Sequence, residues 1–202
     1  MGKLLTAIIN TLFPPRPQEA LLQNVSFADI NALYRPGKCG DITYLAHYDN
    51  PIIQACVVEN KFQHSRRAAK LLGNLLQQWA VQEDKKTLLI PIPLGKERER
   101  TRLHNQSMSI IKQAGPNVHI SNTVLKRQKE TPPQTQLNRA ERIKNIKGAF
   151  ICNDKAFDWS DYEQVVIVDD VVTTGATLKS AKDALLPYIP THILIRTLAI
   201  AH

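Results

Sequence analysis

One run of the sequence, residues 165–177, limits the possible folds of this chain more than any other feature. Four apolar residues predict a buried strand, the carboxylates of Asp169 and Asp170 stand at its carboxyl end, and a turn containing hydroxyl groups then opens a helix. Open α/β sheets bind ligands beyond the carboxyl ends of their strands, and the N–H groups that begin a helix bind anions. The run therefore predicts an α/β sheet with an anion site at the end of this strand.

The residue types at this site favour a sugar phosphate. Asp169 and Asp170 can accept hydrogen bonds from two neighbouring sugar hydroxyls, while the turn can bind a phosphate group through backbone N–H groups and threonine hydroxyls. Two adjacent aspartates alone would be expected at any solvated strand end, but the complete run argues against that alternative. The residues predicted to bind the phosphate are Val171, Val172, Thr173, Thr174, Gly175, Ala176 and Thr177.

Helical and strand patterns alternate along the rest of the chain. Apolar residues recur at helical spacing from Ser65 onward, and residues 87–91 form a short apolar strand that runs into a charged loop. Strands separated by helices predict a central, mainly parallel sheet flanked by helices. We divide the chain into a small N-terminal extension or hood, residues 1–43, and a main domain, residues 44–202. The other predictions are strands over 164–168 and 192–199, helices over 105–114, 139–145 and 176–186, and loops over 34–40 and 126–139.

The net charge of +8 favours an anionic partner, such as a phosphorylated metabolite, nucleic acid or an acidic protein surface. A basic surface that serves only solubility is the alternative. Because 43% of the residues are apolar and 22% are charged, the chain can bury an ordinary globular core.

Cysteine usage and the first residues indicate a cytoplasmic protein. Cys39, Cys56 and Cys152 are too scattered to predict a disulfide framework or a zinc site, which suits a reducing compartment. Residues 1–13 are moderately apolar, but this run is too short to span a bilayer and no cleavage pattern follows it. We therefore expect no integral membrane contact.

Residues 165–177 resemble the motif with which type I phosphoribosyltransferases bind phosphoribosyl pyrophosphate (PRPP). The resemblance implies the type I phosphoribosyltransferase fold, with Asp169 and Asp170 as the catalytic pair that holds the ribose hydroxyls and residues 173–177 around the 5′-phosphate. It also implies Mg²⁺ as a cofactor held through oxygens of the ligand, with no dedicated protein ligands.

The charged loop after the strand at 87–91 offers cations and free backbone donors, which pyrophosphate needs. By itself this loop would be read as a solvated surface segment, and Glu97 and Glu99 weaken its positive field. Beside a PRPP motif it is predicted to bind the pyrophosphate. The residues assigned to this role are Leu94, Gly95, Lys96, Arg98 and Arg102.

Two further series of residues make the chain similar to the competence protein F (ComF) family of phosphoribosyltransferase-like proteins, from about residue 44 to residue 199. The first series is Pro93, Leu94, Arg98, Arg102, Asn105 and Gln106; the second is Arg127, Thr131, Gln134, Leu137, Arg142 and Asn145; Tyr48 and Lys61 fit the upstream part.

The resemblance implies that the loop over 126–139 closes over the bound substrate and excludes water. The residues assigned to this lid are Arg127, Thr131, Gln134, Arg139 and Arg142.

The chain departs from these patterns at several positions. Leu103 and His104 stand where the family has Gly and Phe, and His104 is the histidine most worth testing for a role in the site. No cysteine cluster follows residues 12–15, so the zinc finger of the family is absent and we expect no structural zinc. Thr173 replaces the aspartate of purine-salvage enzymes and cannot act as a general base at neutral pH, which argues against purine salvage.

Three functions are compatible with these observations. The first is Mg²⁺-dependent transfer of ribose 5-phosphate from PRPP to an unidentified acceptor. The second is a module that handles single-stranded DNA with the competence machinery, although no aromatic residues interleave the basic segments. The third is a PRPP sensor without turnover. The resemblance also allows a homodimer.

Overall fold

A computed structural model describes residues 16–95, 100, 104–116, 118–129 and 146–202 of the chain. None of the helices within these ranges has the length and apolar character needed to cross a membrane. The helices, numbered in chain order, are α1 (Pro17–Gln23), α2 (Phe27–Ala32), α3 (Pro51–Gln63), α4 (Arg66–Val81), α5 (Gln106–Ile111) and α6 (Ala176–Leu185), which a 3₁₀ turn follows at Leu186–Tyr188.

The central sheet has the strand order β1-β2-β8-β7-β3-β4. Every neighbouring pair is parallel except β1 and β2. A second, two-stranded ribbon pairs β5 with β6 in antiparallel fashion. The predicted α/β class with a mainly parallel sheet is therefore confirmed. The strands are β1 (Gly37–Cys39), β2 (Ile42–Ala46), β3 (Thr87–Pro91), β4 (His119–Ile120), β5 (Leu125–Arg127), β6 (Phe150–Cys152), β7 (Gln164–Val171) and β8 (Leu194–Ala201).

Each face of the sheet packs against its own hydrophobic core. On one face α3, α4 and α5 cover the side chains of Val166 and Val168. On the other face α6 and the ribbon cover Val165 and Ile167. Side chains alternate between the two faces along a strand, so a strand covered on both sides reads as a continuous apolar run. This double burial is why residues 164–168 could be predicted as a strand.

Polar residues fix where the main helices begin. The Asn50 side chain accepts hydrogen bonds from the N–H groups of Ile52 and Ile53, and Ser65 accepts one from Ala68. These caps satisfy N–H groups that have no acceptor within the helix. The predictions of a helix from residue 65, a strand over 87–91 and a helix after Gly175 are confirmed to within a few residues.

One prediction in this part of the chain is wrong. Residues 34–40 were expected to form a loop, but Gly37–Cys39 form strand β1, which pairs with β2. The strand is too short, and too rich in glycine and lysine, to show an apolar alternation. The helix predicted over 139–145 lies outside the described residues.

Polar contacts attach the N-terminal helices to the main body. Arg16 donates two hydrogen bonds to the buried carboxylate of Glu59 in α3. Arg67 of α4 donates to the carbonyl oxygens of Leu22 and Val25, at the end of α1. Strand β2 crosses the boundary between residues 43 and 44, and the division into 1–43 and 44–202 stays a prediction.

A polar network links the strands at the amino edge of the sheet. The fully buried Gln164 donates from Nε2 to Glu83 Oε2 at 3.0 Å and to Thr87 Oγ1 at 2.8 Å. Arg196 donates from Nη1 to both oxygens of Glu83 at 2.8 Å and lies over the ring of Trp79. Glu83 therefore accepts hydrogen bonds from β7 and β8 together.

Replacing Glu83 by alanine should destabilise the protein, because the Gln164 amide and the Arg196 guanidinium then each lose one acceptor in a largely buried place. The expected loss in free energy of unfolding is about 1–3 kcal/mol, measured by urea denaturation. Asp84→Ala, next in sequence with a side chain that is 93% exposed, is the matched control and should change stability little. Equal losses in the two variants would contradict a structural role for the Glu83 network.

Candidate PRPP site

The predicted site lies at a point where the connections of the sheet diverge. Strand β3 is followed by β4 on one side, whereas β7 is followed by β8 on the other. Such a switch point leaves a crevice beyond the carboxyl ends of the two central strands. These ends are adjacent, since Pro91 pairs with Val168 and the Ile92 N–H donates to the Val168 carbonyl at 2.9 Å. The predicted pyrophosphate loop and the paired aspartates therefore start side by side.

Asp169 and Asp170 are part of β7 itself, near its carboxyl end. Each carboxylate accepts a hydrogen bond from the next N–H along the chain: Asp169 Oδ1 from Asp170, and Asp170 Oδ1 from Val171, both at 2.9 Å. Ser107, on α5, donates its hydroxyl to the same Asp169 oxygen at 3.2 Å. These contacts, and one between the two carboxyl groups themselves, orient both groups at the carboxyl end of β7.

Burial raises the pKa of Asp169 to about 8, and the neighbouring Asp170 carboxyl adds to the increase. The hydrogen bonds from the Asp170 N–H and the Ser107 hydroxyl act in the opposite direction, but they do not offset the loss of hydration. This shift favours the protonated form of Asp169 in the free protein. A ligand that donates hydrogen bonds to this carboxyl group favours its ionised form.

The turn after β7 brings the backbone round from the sheet to α6. The Val172 N–H donates to the carbonyl of Ala201 at 2.9 Å, which fixes the turn to the end of β8. Gly175 precedes the helix with φ at 73°, and a β-carbon there would lie 2.5 Å from Ile42 Cδ1. The left-handed backbone favours glycine at this position, and the end of the Ile42 side chain would have to move to admit a β-carbon. Thr173 is exposed, and residues 174–177 are half-buried around the start of α6.

Asn105 closes the predicted pyrophosphate loop at its base. Its Nδ2 donates to the carbonyl of Ile92 at 2.9 Å, and its Oδ1 accepts from the Met108 N–H at 2.9 Å. One side chain therefore joins the residue where the loop leaves β3 to the first turn of α5. Leu94 is half-buried and Gly95 is buried beside the crevice. The three predicted cations of this loop lie outside the described residues: Lys96, Arg98 and Arg102.

In the sequence, strand β5 precedes the predicted lid and strand β6 follows it. Arg127, at the end of β5, is 6% exposed and lies over the Phe150 ring, with its Nε donating to the Lys129 carbonyl. In this position it packs within the ribbon, and the loop predicted over 126–139 is wrong at its first two residues, which belong to β5. The other lid residues lie outside the described part of the chain: Thr131, Gln134, Arg139 and Arg142.

His104 packs against the end of α3. Its ring stacks on that of His64, with centroids 4.7 Å apart, and its Nε2 lies 3.3 Å from Asn60 Oδ1. Burial and the neighbouring His64 lower the pKa of His104, which favours the neutral imidazole. Gln106, two residues on, is 8% exposed, and its Oε1 has no hydrogen-bond partner among the residues that the structure describes.

The donor set fits a magnesium ion that arrives with its ligand. No group of three or more His, Cys, Asp and Glu side chains within the described ranges is placed to hold a metal ion. Asp169 and Asp170 nevertheless present carboxylate oxygens, which Mg²⁺ prefers, at the edge of the crevice. An ion that keeps several waters and binds through oxygens of its ligand needs no dedicated protein ligands.

The sequence patterns assign no specific role to two residues of this site. Ser107 is a single serine in a helix, and nothing in its spacing points to Asp169, which is 62 residues away. Asn105 belongs to the family pattern, but its function as a clamp on Ile92 follows only from the fold. Its position before an apolar helix does predict a cap.

The raised pKa of Asp169 has a consequence for stability. Between about pH 4 and 8 the unfolded chain carries this carboxylate ionised, whereas the folded protein keeps it protonated, so stability is lost as pH rises through this window. Asp169→Asn removes the ionisable group while preserving an acceptor. The variant should match the wild type near pH 4 and exceed it by about 1–3 kcal/mol at pH 8.

Urea denaturation across pH 4.5–8.5 measures this difference. Asp183→Asn, on the exposed side of α6, is the control and should not alter the pH profile. A constant offset between Asp169→Asn and wild type at every pH would mean that Asp169 does not change its protonation on folding.

Comparison with known proteins supports the interpretation of the sequence. The chain is 31% identical over 160 residues to competence protein F of Haemophilus influenzae, covering 73% of this chain and 67% of that protein. It is 33% identical over 110 residues to competence protein ComFC of Bacillus subtilis, covering 52% of this chain and 41% of that protein. No model of a protein family matches the sequence.

Among solved structures, a hypoxanthine phosphoribosyltransferase from Staphylococcus aureus is 15% identical, with a TM-score of 0.35 over 72% of this chain and 69% of that one. The H. influenzae relative decides the family, because the match exceeds 30% identity and extends over two thirds of that protein. The chain belongs to the competence protein F (ComF) family.

Proposed function

We propose that this protein binds PRPP and, with Mg²⁺, transfers its ribose 5-phosphate to an acceptor nucleophile. The observation that carries the proposal is the meeting of two features at one switch point. The adjacent carboxyl groups of Asp169 and Asp170 stand at the end of β7, and the loop that leaves β3 begins beside them. On this proposal the diol meets the two carboxyl groups, the terminal phosphate meets the turn after β7, and the pyrophosphate meets the loop after β3.

The carboxyl groups hold the ribose. The vicinal 2′- and 3′-hydroxyls donate to the carboxylate oxygens of Asp169 and Asp170 that the backbone contacts leave available. Because Ser107 and the backbone already orient these groups, little motion is needed when the ligand binds. This step fixes the position of C1′, the carbon that reacts.

The turn at residues 172–175 and the first turn of α6 bind the 5′-phosphate. Helix N–H groups that lack an acceptor, together with the helix dipole, favour an anion at this end. Gly175 allows the backbone to approach the phosphate closely. The pyrophosphate then lies towards residues 92–95, whose extension carries the basic residues of the predicted loop.

Catalysis on this proposal comes from positioning and charge. The acceptor's lone pair forms a bond to C1′ while the bond from C1′ to the pyrophosphate oxygen breaks, and the pyrophosphate leaves with that electron pair. Bound Mg²⁺ supplies positive charge to the leaving group. Cationic side chains of the pyrophosphate loop add to this stabilisation, and a closed lid over the site excludes water.

The names of the two bacterial relatives connect the family with competence, and we extend a role in competence to this chain as part of the proposal. Purine salvage fits less well, because Thr173 offers no proton acceptor beside a base.

Binding of PRPP is tested by calorimetry in the presence of Mg²⁺. The wild type should bind PRPP, and Asp170→Asn should weaken binding about 10- to 100-fold, because it removes a charged acceptor of a ribose hydroxyl. Asp183→Asn is the matched control, since it makes the same chemical change on an exposed part of α6, and should bind as wild type does. Absence of PRPP binding, or equal affinity in Asp170→Asn, contradicts the proposed site.

Turnover is tested separately by pyrophosphate release from PRPP and Mg²⁺ across a panel of heterocyclic bases and primary amines. Release should depend on one class of acceptor, and Gly175→Ala should reduce it at least about tenfold, because the added methyl group displaces the phosphate turn. Binding of PRPP with no acceptor-dependent release would identify a sensor and rule out the transfer reaction.

A further inference from the structure

An open cleft of about 550 Å³ lies apart from the residues assigned to PRPP, between the end of α2, strand β1 and the start of α3. This volume falls in the range of small-molecule sites. Leu33 and Ile53 provide apolar walls, and Arg35, His47 and Asp49 provide polar groups. None of these residues has a role in the PRPP site described above.

The cleft shares the carboxyl edge of the sheet with the PRPP site. Strand β2 ends at Ala46, which pairs with Ala201 of β8, and Ala201 pairs with Val171, directly after Asp170. Neighbouring strands are about 4.8 Å apart, so His47 starts about 10 Å from the end of β7. A small molecule that occupies the cleft can reach towards the ribose from the side of β8.

Hydrogen bonds and ring contacts attach the end of β2 to His202. The His202 N–H donates to the Ala46 carbonyl at 3.1 Å, and the Tyr48 N–H donates to the His202 carbonyl at 2.9 Å. The Tyr44 ring stacks on His202 at 5.1 Å between centroids and meets the edge of His47 at 5.3 Å. Of these three rings, only that of the exposed His47 belongs to a residue that lines the cleft, and a planar ligand can pack against it.

Two opposite charges in the cleft have no charged partner within the part of the chain that the structure describes. Arg35 is anchored by its backbone N–H to the Leu45 carbonyl, and its Nη1 donates only to the Tyr34 carbonyl. Asp49 forms no ion pair among the same residues. Arg35 lies on the outer side, next to β1, whereas His47 and Asp49 follow β2 and are nearer to the PRPP site.

We propose that this cleft is the acceptor subsite and that the acceptor is a small planar amine that also carries a carboxylate. The carboxylate pairs with Arg35, and the amine lies at Asp49 and His47, directed towards C1′ of the ribose. The order of charges along the sheet edge sets this orientation. The inference rests on the proposed function and deepens it by naming the acceptor class.

The same arrangement provides the proton acceptor that the PRPP motif lacks. The neutral amine uses its lone pair to form the bond to C1′, the bond from C1′ to oxygen breaks, and pyrophosphate leaves with the bonding pair. The proton lost from the amine passes to the imidazole of His47. Asp49 holds the amine in position through the step.

Binding of three probes by calorimetry tests the charge pattern. The probes are 4-aminobenzoate, which has both groups, and benzoate and aniline, which have one each. The wild type, saturated with ribose 5-phosphate, should bind 4-aminobenzoate at least about fivefold more tightly than either single-group probe. Failure to bind 4-aminobenzoate, or equal affinity for all three probes, overturns the proposed acceptor class.

Substitutions test whether the probe binds in the cleft. Arg35→Gln and Asp49→Asn should each weaken binding of 4-aminobenzoate about fivefold or more. Arg66→Gln and Asp41→Asn make the same changes at exposed positions outside the cleft, and should not affect binding. If the controls weaken binding as much as the cleft variants do, the cleft is not the site.

The experiments distinguish failure of the proposed PRPP function from failure of the acceptor subsite. All four variants should bind PRPP with Mg²⁺ as the wild type does, because none alters residues 169–177. Loss of PRPP binding in the wild type refutes the proposed function, whereas intact PRPP binding without a cleft-dependent effect on 4-aminobenzoate refutes only the acceptor subsite. His47→Gln should keep the probe affinity but slow pyrophosphate release with 4-aminobenzoate; unchanged release refutes the role of His47.

Discussion

Burial of strand β7 on both faces is the constraint on which the rest of this structure depends. Val165, Val166, Ile167 and Val168 are fully buried, and they alternate between the two hydrophobic cores. Parallel neighbours on both sides, β3 and β8, satisfy the backbone of the strand. Such a strand cannot slip by one residue without exchanging its two faces, so its register is fixed. The position of the carboxyl groups that follow is fixed with it.

The buried position of Asp169 lowers the stability of the empty site but strengthens the hydrogen bonds that a ligand makes there. A carboxyl group at the end of a buried strand loses hydration, and its pKa rises to about 8. The same loss of water strengthens any hydrogen bond that a ligand makes there, since the local dielectric constant is low. Ser107 and the backbone provide partial compensation without saturating the group. The site is thus less stable when empty than when a hydroxyl-bearing ligand is bound, which is a common property of binding sites built on rigid elements.

The parts of the fold that could be predicted from sequence are those in which one local pattern decides the structure. The apolar run of β7 and the stripe of α4 are examples. Helix α3 could not be predicted, because Glu59 and Asn60 are buried among its apolar residues and no polar face distinguishes it. Arg16 donates to the Glu59 carboxylate, and the Asn60 amide donates to the Gln106 carbonyl. Asp169 and Asp170 were found because a motif of adjacent residues carries them. The contact from Ser107 depends on tertiary packing, which no local pattern encodes.

Under the proposed function, the antiparallel β1–β2 hairpin supplies the part of the site that recognises the acceptor. Strands β3, β7 and β8 then place the sugar phosphate. The hairpin adds Arg35 and His47 to the same edge, and the hydrogen bonds from Arg67 to the carbonyls that end α1 hold the N-terminal helices beside it. Under the proposed function, donor binding is therefore encoded by the centre of the sheet and acceptor choice by its edge. Changes in the hairpin can then alter the acceptor while the buried centre, and with it the stability of the fold, is preserved.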